Sequence, residues 1–261
     1  SGTDVRIGWI LEELKNDKLL DNTIIIFFAD NGRLDARGIH WCWDSGLHVP
    51  MIIWYPKGVE APKQIVPGRV DDQVYSLLDI AATTLWIAGV PKPFGMQSRV
   101  FLGSNSDSPR SYAFAARDRI DETQVRLRSV HDNRYHYIRN FTPGAGFQTL
   151  NRYKEKCFLV KPLMRDLYAE GKLSGPPADL MKPFPNEMLY DTYSDPHEIK
   201  NIVDSKNQEH QDALNRLRAA LDTWMVSTSD RGHIPEPQEL VNEFSKEMHD
   251  WFGTPDWVQE K

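Results

Sequence analysis

Residues 23–30, TIIIFFAD, form an unbroken apolar run that stops on a carboxylate, and Asn31 and Gly32 follow at once. A run without alternation suits a strand covered on both faces, as in a central parallel sheet. Covering both faces takes helices on either side, so this stretch points to an α/β fold. Its flanks agree. Segment 4–16, DVRIGWILEELKN, puts Ile7, Ile10, Leu11 and Leu14 on one helical face, with Thr3 or Asp4 as N-cap. VPMIIWYP (49–56) is a second strand bounded by Pro50 and Pro56. DDQVYSLLDIAATTLWIAGVP (71–91) reads as a helix with Val74, Leu78, Ala81, Leu85 and Ala88 in register, stopped near Gly89 and Pro91.

Beyond about residue 95 the texture changes. Residues 93–110 are loop-like. SYAFAARD (111–118), VRLRSVHD (125–132), YHYIRN (135–140) and MLYDTYSD (188–195) are short β-rich runs, with HDNR (131–134) as a turn. NQEHQDALNRLRAALDTWMVS (207–227) is an amphipathic helix through Leu214, Leu217, Leu221 and Trp224. Segment 150–187 mixes a short helix with loops. The expected division is therefore 1–100, part of an α/β sheet domain, and 101–261, a small antiparallel sheet with a packed helix.

Asp30 and Asn31 stand at the carboxyl end of the first strand, where open α/β sheets bind ligands. Their hard oxygens suit Ca²⁺ or Mg²⁺ rather than zinc. Asp-Asn-Gly is also ordinary turn chemistry, so the three residues alone leave both readings open. Composition narrows the field. A formal charge of −6 without a basic stripe disfavours nucleic acid as partner. No apolar run reaches the length of a membrane span. Cys42 and Cys157 are too few for a disulfide framework or a metal knuckle.

Taken together, FFADNG (27–32), RGIHWCWDSGLHVP (37–50) and MIIWYPKG (51–58) resemble the sulfatase family of the alkaline-phosphatase-like superfamily. SLLDIAATTLWIAGVP (76–91) resembles the family's Asp-x-x-Pro-Thr helix, with Ala82 at the usual proline. MLYDTYSDPHEIKNI (188–202) is similar to its C-terminal Asp-Pro-x-Glu element, and ARDRIDETQVRLRSVHDNRYHYIRNFTPG (116–144) to the strand pair of bacterial sulfatases related to heparan N-sulfatase. These motifs occur in collinear order over nearly the whole chain.

The resemblance implies roles at the matching positions. Asp30 and Asn31 match two of four calcium ligands. The sulfate-facing loop, where the family has a lysine, reads Ile39-His40, which makes His40 the catalytic candidate and Arg37 a competing cation. Arg117, Asp118 and Arg119 fall where related sulfatases read the substrate, and arginine forks suit sulfates and carboxylates. His48, in place of an arginine before Val-Pro, reads as structural. His131 and His136 read as surface or sheet residues; Tyr135, Tyr137 and Trp224 read as packing. Neither cysteine sits in the Cys/Ser-x-Pro/Ala-x-Arg motif that yields the formylglycine nucleophile. The resemblance thus implies the C-terminal portion of a sulfatase hydrolysing sulfate esters or sulfamates on a glycan or small ester. Its nucleophile and remaining metal ligands would come from an N-terminal portion, and its location would be periplasmic or secreted. A phosphoester hydrolase of the same superfamily and a non-catalytic glycan-binding remnant stay open as alternatives.

Overall fold

The computed structural model describes residues 2–56, 68–103 and 106–258. Lys57 and Gly58 of a matched motif, and Ser104 and Asn105 of the expected loop, lie outside them. The elements in chain order are α1 (Gly2–Asn16), β1 (Ile25–Phe28), α2 (Asp44–Leu47), β2 (Met51–Trp54), α3 (Leu78–Ile87), β3 (Ala113–Ile120), β4 (Thr123–His131), β5 (Tyr135–Asn140), α4 (Arg152–Cys157), α5 (Val160–Ala169), α6 (Pro176–Leu180), β6 (Glu187–Asp191), α7 (Gln208–Ser227) and α8 (Gln238–Phe252). The architecture is mixed α/β, as the apolar pattern predicts. The chain divides into one unit of residues 1–30 and 49–110 and another of residues 31–48 and 111–261.

In the first unit, β1 pairs with β2, and the pairing is antiparallel, with Ile25 opposite Trp54 and Phe28 opposite Met51. This corrects the expected parallel strand covered on both faces: Phe27 and Phe28 are exposed. A parallel partner requires a crossover, usually a helix. Here the connection between β1 and β2 is the irregular 31–48 segment, whose α2 is a single turn.

The helix expected from residue 71 begins at Leu78, and its buried side is not the apolar stripe. Asp79, Ala82 and Thr83 are buried while Leu78 is 62% exposed. The cause is Asp79. Its carboxylate accepts from the backbone N–H of Ser76 and Arg99 and from the Arg110 guanidinium, at 2.5–3.1 Å. A buried charge needs such partners, so the helix turns this residue inward. The stop is as expected: Gly89 takes φ +70°, and the N–H of Val90 reaches back to Leu85.

In the second unit a four-stranded antiparallel sheet has the order β3-β4-β5-β6. β5 spans the residues read from the sequence. Alternation sends Val125, Leu127 and Ile138 to one face, against Trp41, Trp43, Phe147, Phe184 and Met188. Val130, Tyr135, Tyr137 and Leu189 face α7, meeting Leu214, Leu217 and Leu221. α7 is capped by Asn207, whose side chain accepts from the N–H of Glu209.

Candidate functional site

Segment 31–48 is built on close backbone contacts that glycine permits. A Cβ on Gly32 would lie 2.0 Å from the Ser45 carbonyl, on Gly38 1.9 Å from that of Arg33, and on Gly46 2.4 Å from those of Gly38 and Trp41. Side chains cannot fit there, so the Gly32 and Arg33 N–H groups bond directly to the Gly46 and Ser45 carbonyls. Trp41, Cys42 and Trp43 anchor the segment in the core. Both tryptophans meet Phe184 edge-on, and Trp43 Nε1 donates to Tyr190 Oη.

This clamp holds His40 at φ +80°, a conformation uncommon for a non-glycine residue. Such strain, of order 1–3 kcal/mol, collects at functional sites. The His40 carbonyl accepts from Arg117 Nη1 at 3.1 Å, and the adjacent Ile39 carbonyl accepts from Lys154 Nζ at 2.8 Å. Among the described residues His40 Nδ1 and Arg117 Nε are buried without a partner. The Arg117 guanidinium lies over the Trp41 ring at 4.3 Å, and the Lys154 ammonium lies near the same ring at 5.6 Å. The β3–β4 register shifts between Arg117 and Arg119, and bulges of this kind re-aim side chains.

Arg117 and Lys154 are each only 5% exposed. Among the described residues neither has a carboxylate in ion-pair contact. Burial, then Arg117, then Lys161 pull the Lys154 ammonium down to about 8, and burial lowers Arg117 to about 10. His40 falls to about 4, chiefly through burial and then Lys154, so its imidazole is neutral at pH 7. Two buried cations beside an uncharged histidine, with the Asp121 carboxylate acting on all three from beyond ion-pair contact, form an electropositive niche suited to an oxyanion.

The other expected substrate residues are tied to the protein. Arg37 donates to the carbonyls of His197 and Glu198 and lies over the Trp43 ring. Asp118 pairs with the buried Arg128. Arg119 pairs with Glu236 at 2.7 Å and stacks on Phe244. Asp30 is exposed just beyond β1, and among the described residues neither its carboxylate nor the Asn31 side chain has a hydrogen-bond partner. Free hard oxygens in that position fit a divalent cation. A larger cleft of about 450 Å³, lined by Arg37, Pro176, Pro183 and Tyr190 among others, does not include His40. Its lining is mostly apolar, whereas His40, Arg117 and Lys154 form a cluster of groups whose pKa values are all lowered.

Two features escaped the sequence. Lys154 reaches Ile39 across 115 positions, and nothing in RYKEKC signals it. His136 is fully buried, opposite His131 in the β4–β5 ladder. The HDNR turn read from the sequence accounts for that pairing; what the reading of a surface or sheet residue left open is the full burial of His136.

The sulfatase family model matches residues 1–90. An ulvan-active sulfatase of Formosa agariphila is 40% identical over 241 residues, covering 92% of this chain and 39% of that protein. Human N-sulphoglucosamine sulphohydrolase is 27% identical over 244 residues, covering 87% and 46%. Among solved structures, that of BT4656 with its substrate D-glucosamine-2-N,6-O-disulfate superimposes with a TM-score of 0.59 at 19% identity, over 87% of this chain and 39% of that one. A putative sulfatase, yidJ, from Bacteroides fragilis gives 0.57 at 21%, over 89% and 42%. At such identities the structures speak for the fold. The chain spans less than half the length of these relatives, and with its ordered motifs, its family-model match and its 40% identity to a sulfatase, it belongs to the sulfatase family.

Proposed function

We propose that this chain is the C-terminal portion of a sulfatase that removes sulfate from a glycan, and that Arg117, Lys154 and His40 receive the sulfate. The observation that carries the proposal is the niche of two buried cations, neither in ion-pair contact with a carboxylate among the described residues, around a strained histidine. In a site this dry, positioned donors act strongly on developing charge. Lys154 arrives at Ile39, where the family resemblance expects a lysine, so it supplies from a distant helix the charge that the loop lacks. Arg37, Asp118 and Arg119 act by holding the loop and the strand pair in place.

His40 is neutral in the ligand-free niche. The singly charged sulfo group of a substrate beside it would raise its pKa, so substrate and proton would arrive together. The protonated ring would then donate to the leaving oxygen. Asp30 and Asn31 would provide two of the oxygen ligands of a calcium ion, magnesium being the alternative. A bound divalent cation supplies Lewis-acid polarisation of the sulfate oxygens. The formylglycine nucleophile would belong to an N-terminal portion, which is the partner required. Relatives named for ulvan and for sulphoglucosamine support a sulfated glycan as substrate. Export to the periplasm or the medium follows from the same kinship; among the described residues no helix is long and apolar enough to cross a membrane.

The test is sulfate release by the complete sulfatase from sulfated glucosamines, beside phosphate monoesters. Lys154→Met and Arg117→Met should each lower kcat by about 100- to 1,000-fold, the typical cost of one charge-stabilising donor. A preference for phosphate esters, or unchanged rates in both variants, would overturn the proposal.

A further inference from the structure

Below the loop that carries His40, two carboxylates and two imidazoles meet in the second unit. Asp44 is the first residue of α2, Glu198 follows β6, and His131 and His136 face each other across the β4–β5 ladder. Asp44 Oδ1 lies 3.4 Å from His131 Nε2 and 3.8 Å from His136 Nδ1. Glu198 Oε1 lies 2.5 Å from the same His136 nitrogen. The side chains of His136 and Glu198 are 0% and 1% exposed, and that of Asp44 is 17% exposed.

The hydrogen-bond accounting leaves a gap. His131 Nδ1 faces the Asp132 carbonyl, which can only accept, so Nδ1 carries the proton. Nε2 then can donate to Asp44 Oδ1 only as the charged ring, and in the neutral ring it presents a lone pair there. At 3.4 Å the pair is also long for a hydrogen bond. A nitrogen bonded to a backbone carbonyl on one side, with its lone pair free on the other, is how a metal-ligating histidine is oriented. On His136 the single Nδ1 proton is taken by Glu198, which leaves Asp44 Oδ1 with nothing from that ring.

We propose that Asp44, His131 and His136, with Glu198 at their side, bind a zinc-class divalent cation that fastens the 31–48 segment to the β4–β5 hairpin. The three ligand atoms lie within 4.8 Å of one another. Tetrahedral zinc with bonds of about 2.0–2.1 Å sets neighbouring ligands about 3.3 Å apart, close to the 3.4 and 3.8 Å that separate Asp44 Oδ1 from the two ring nitrogens. Mixed imidazole and carboxylate donors suit zinc and its borderline neighbours, whereas calcium wants six or more oxygens. The charges balance too: one divalent cation neutralises two carboxylates when both imidazoles are neutral. Binding at Nδ1 would move the His136 proton to Nε2, which is buried without a partner among the described residues, so the ring stays neutral, and Glu198 would become the fourth ligand or hold a bound water. The cleft of about 380 Å³ beside Asp44, Glu198 and His48 gives the ion a way in.

The experiment titrates the chelator-treated chain with Co²⁺ and then Zn²⁺. One equivalent of Co²⁺ should give the visible bands of a tetrahedral nitrogen–oxygen site, and Zn²⁺ should abolish them and raise the unfolding temperature. His131→Gln should weaken Zn²⁺ binding by at least about tenfold. X-ray absorption at the zinc edge of the unaltered protein gives a readout independent of whether that variant folds: two imidazoles with oxygen ligands are expected. No stoichiometric binding, a sulfur ligand, displacement of Zn²⁺ by millimolar Ca²⁺, or undiminished affinity in a folded His131→Gln would each overturn the proposal.

Discussion

In the second unit Leu127, Ile138, Leu217 and Leu221 are fully buried, whereas the largest buried hydrophobic side chains described in the first unit are Val100 and Leu102. The first unit instead buries a charge, Asp79, with Arg110 against it. It also turns large apolar side chains outward: Trp9 is 65% exposed and Ile52 62%. One unit thus has its own hydrophobic core, and the other is ordered around a polar centre with open apolar faces. Faces of that kind mark surfaces that pack against something. The chain spans 39% of the ulvan-active sulfatase, and on the proposed reading the N-terminal portion covers those faces.

The strongest way to break this comparison is Asp79→Ala. It leaves the Arg110 guanidinium without its buried partner, a loss of about 3–5 kcal/mol. Hydrogen exchange should then accelerate over residues 76–110 while β4 and β5 stay protected. Equal loss in both units would show a single cooperative body. Leu217→Ala is the converse, costing about 2–5 kcal/mol in the second unit by urea unfolding. Gly46→Ala drives a methyl into two carbonyls and should cost about 1–3 kcal/mol, with loss of near-ultraviolet dichroism from Trp41 and Trp43.

A smaller effect follows from His40. Its folded pKa of about 4 lies below the unfolded 6.5, so the unfolded chain takes up the proton first. The His40-linked stability is full above pH 6.5 and is lost as pH falls towards 4. His40→Asn keeps a residue that tolerates the left-handed backbone and should flatten that part of the melting-temperature profile. An unchanged slope would place the loss at other groups. The smallest change is expected from Trp9→Ser on the open face of α1, within about 0.5 kcal/mol for the chain alone. A large loss there would mean that the face is already covered, for instance by a second copy.

The strands and α7 of the second unit were legible because alternation and the helical period report which face is buried. The four-stranded sheet and the Leu214–Leu217–Leu221 stripe appear where that pattern puts them. The pattern failed at α3, where it assumes that apolar residues point inward. Asp79 overrides it, because a buried carboxylate with several donors must face the protein. The β1 partner was misjudged for a related reason: an all-apolar strand says that its faces are meant to be covered, but not by which strand it is flanked.

By itself the sequence determined the α/β class, the family, and the stretch in which to look, from Asp30 to His48. Local pattern and ordered motifs are written along the chain, so they need no coordinates. Only the tertiary structure decided that Lys154 comes to Ile39, that Arg119 is ion-paired with Glu236 while Arg117 has no such contact among the described residues, and that His131 and His136 converge on Asp44. Those are encounters between residues far apart in the chain. They depend on strand register, a bulge and backbone contacts at three glycines, none of which leaves a local signature.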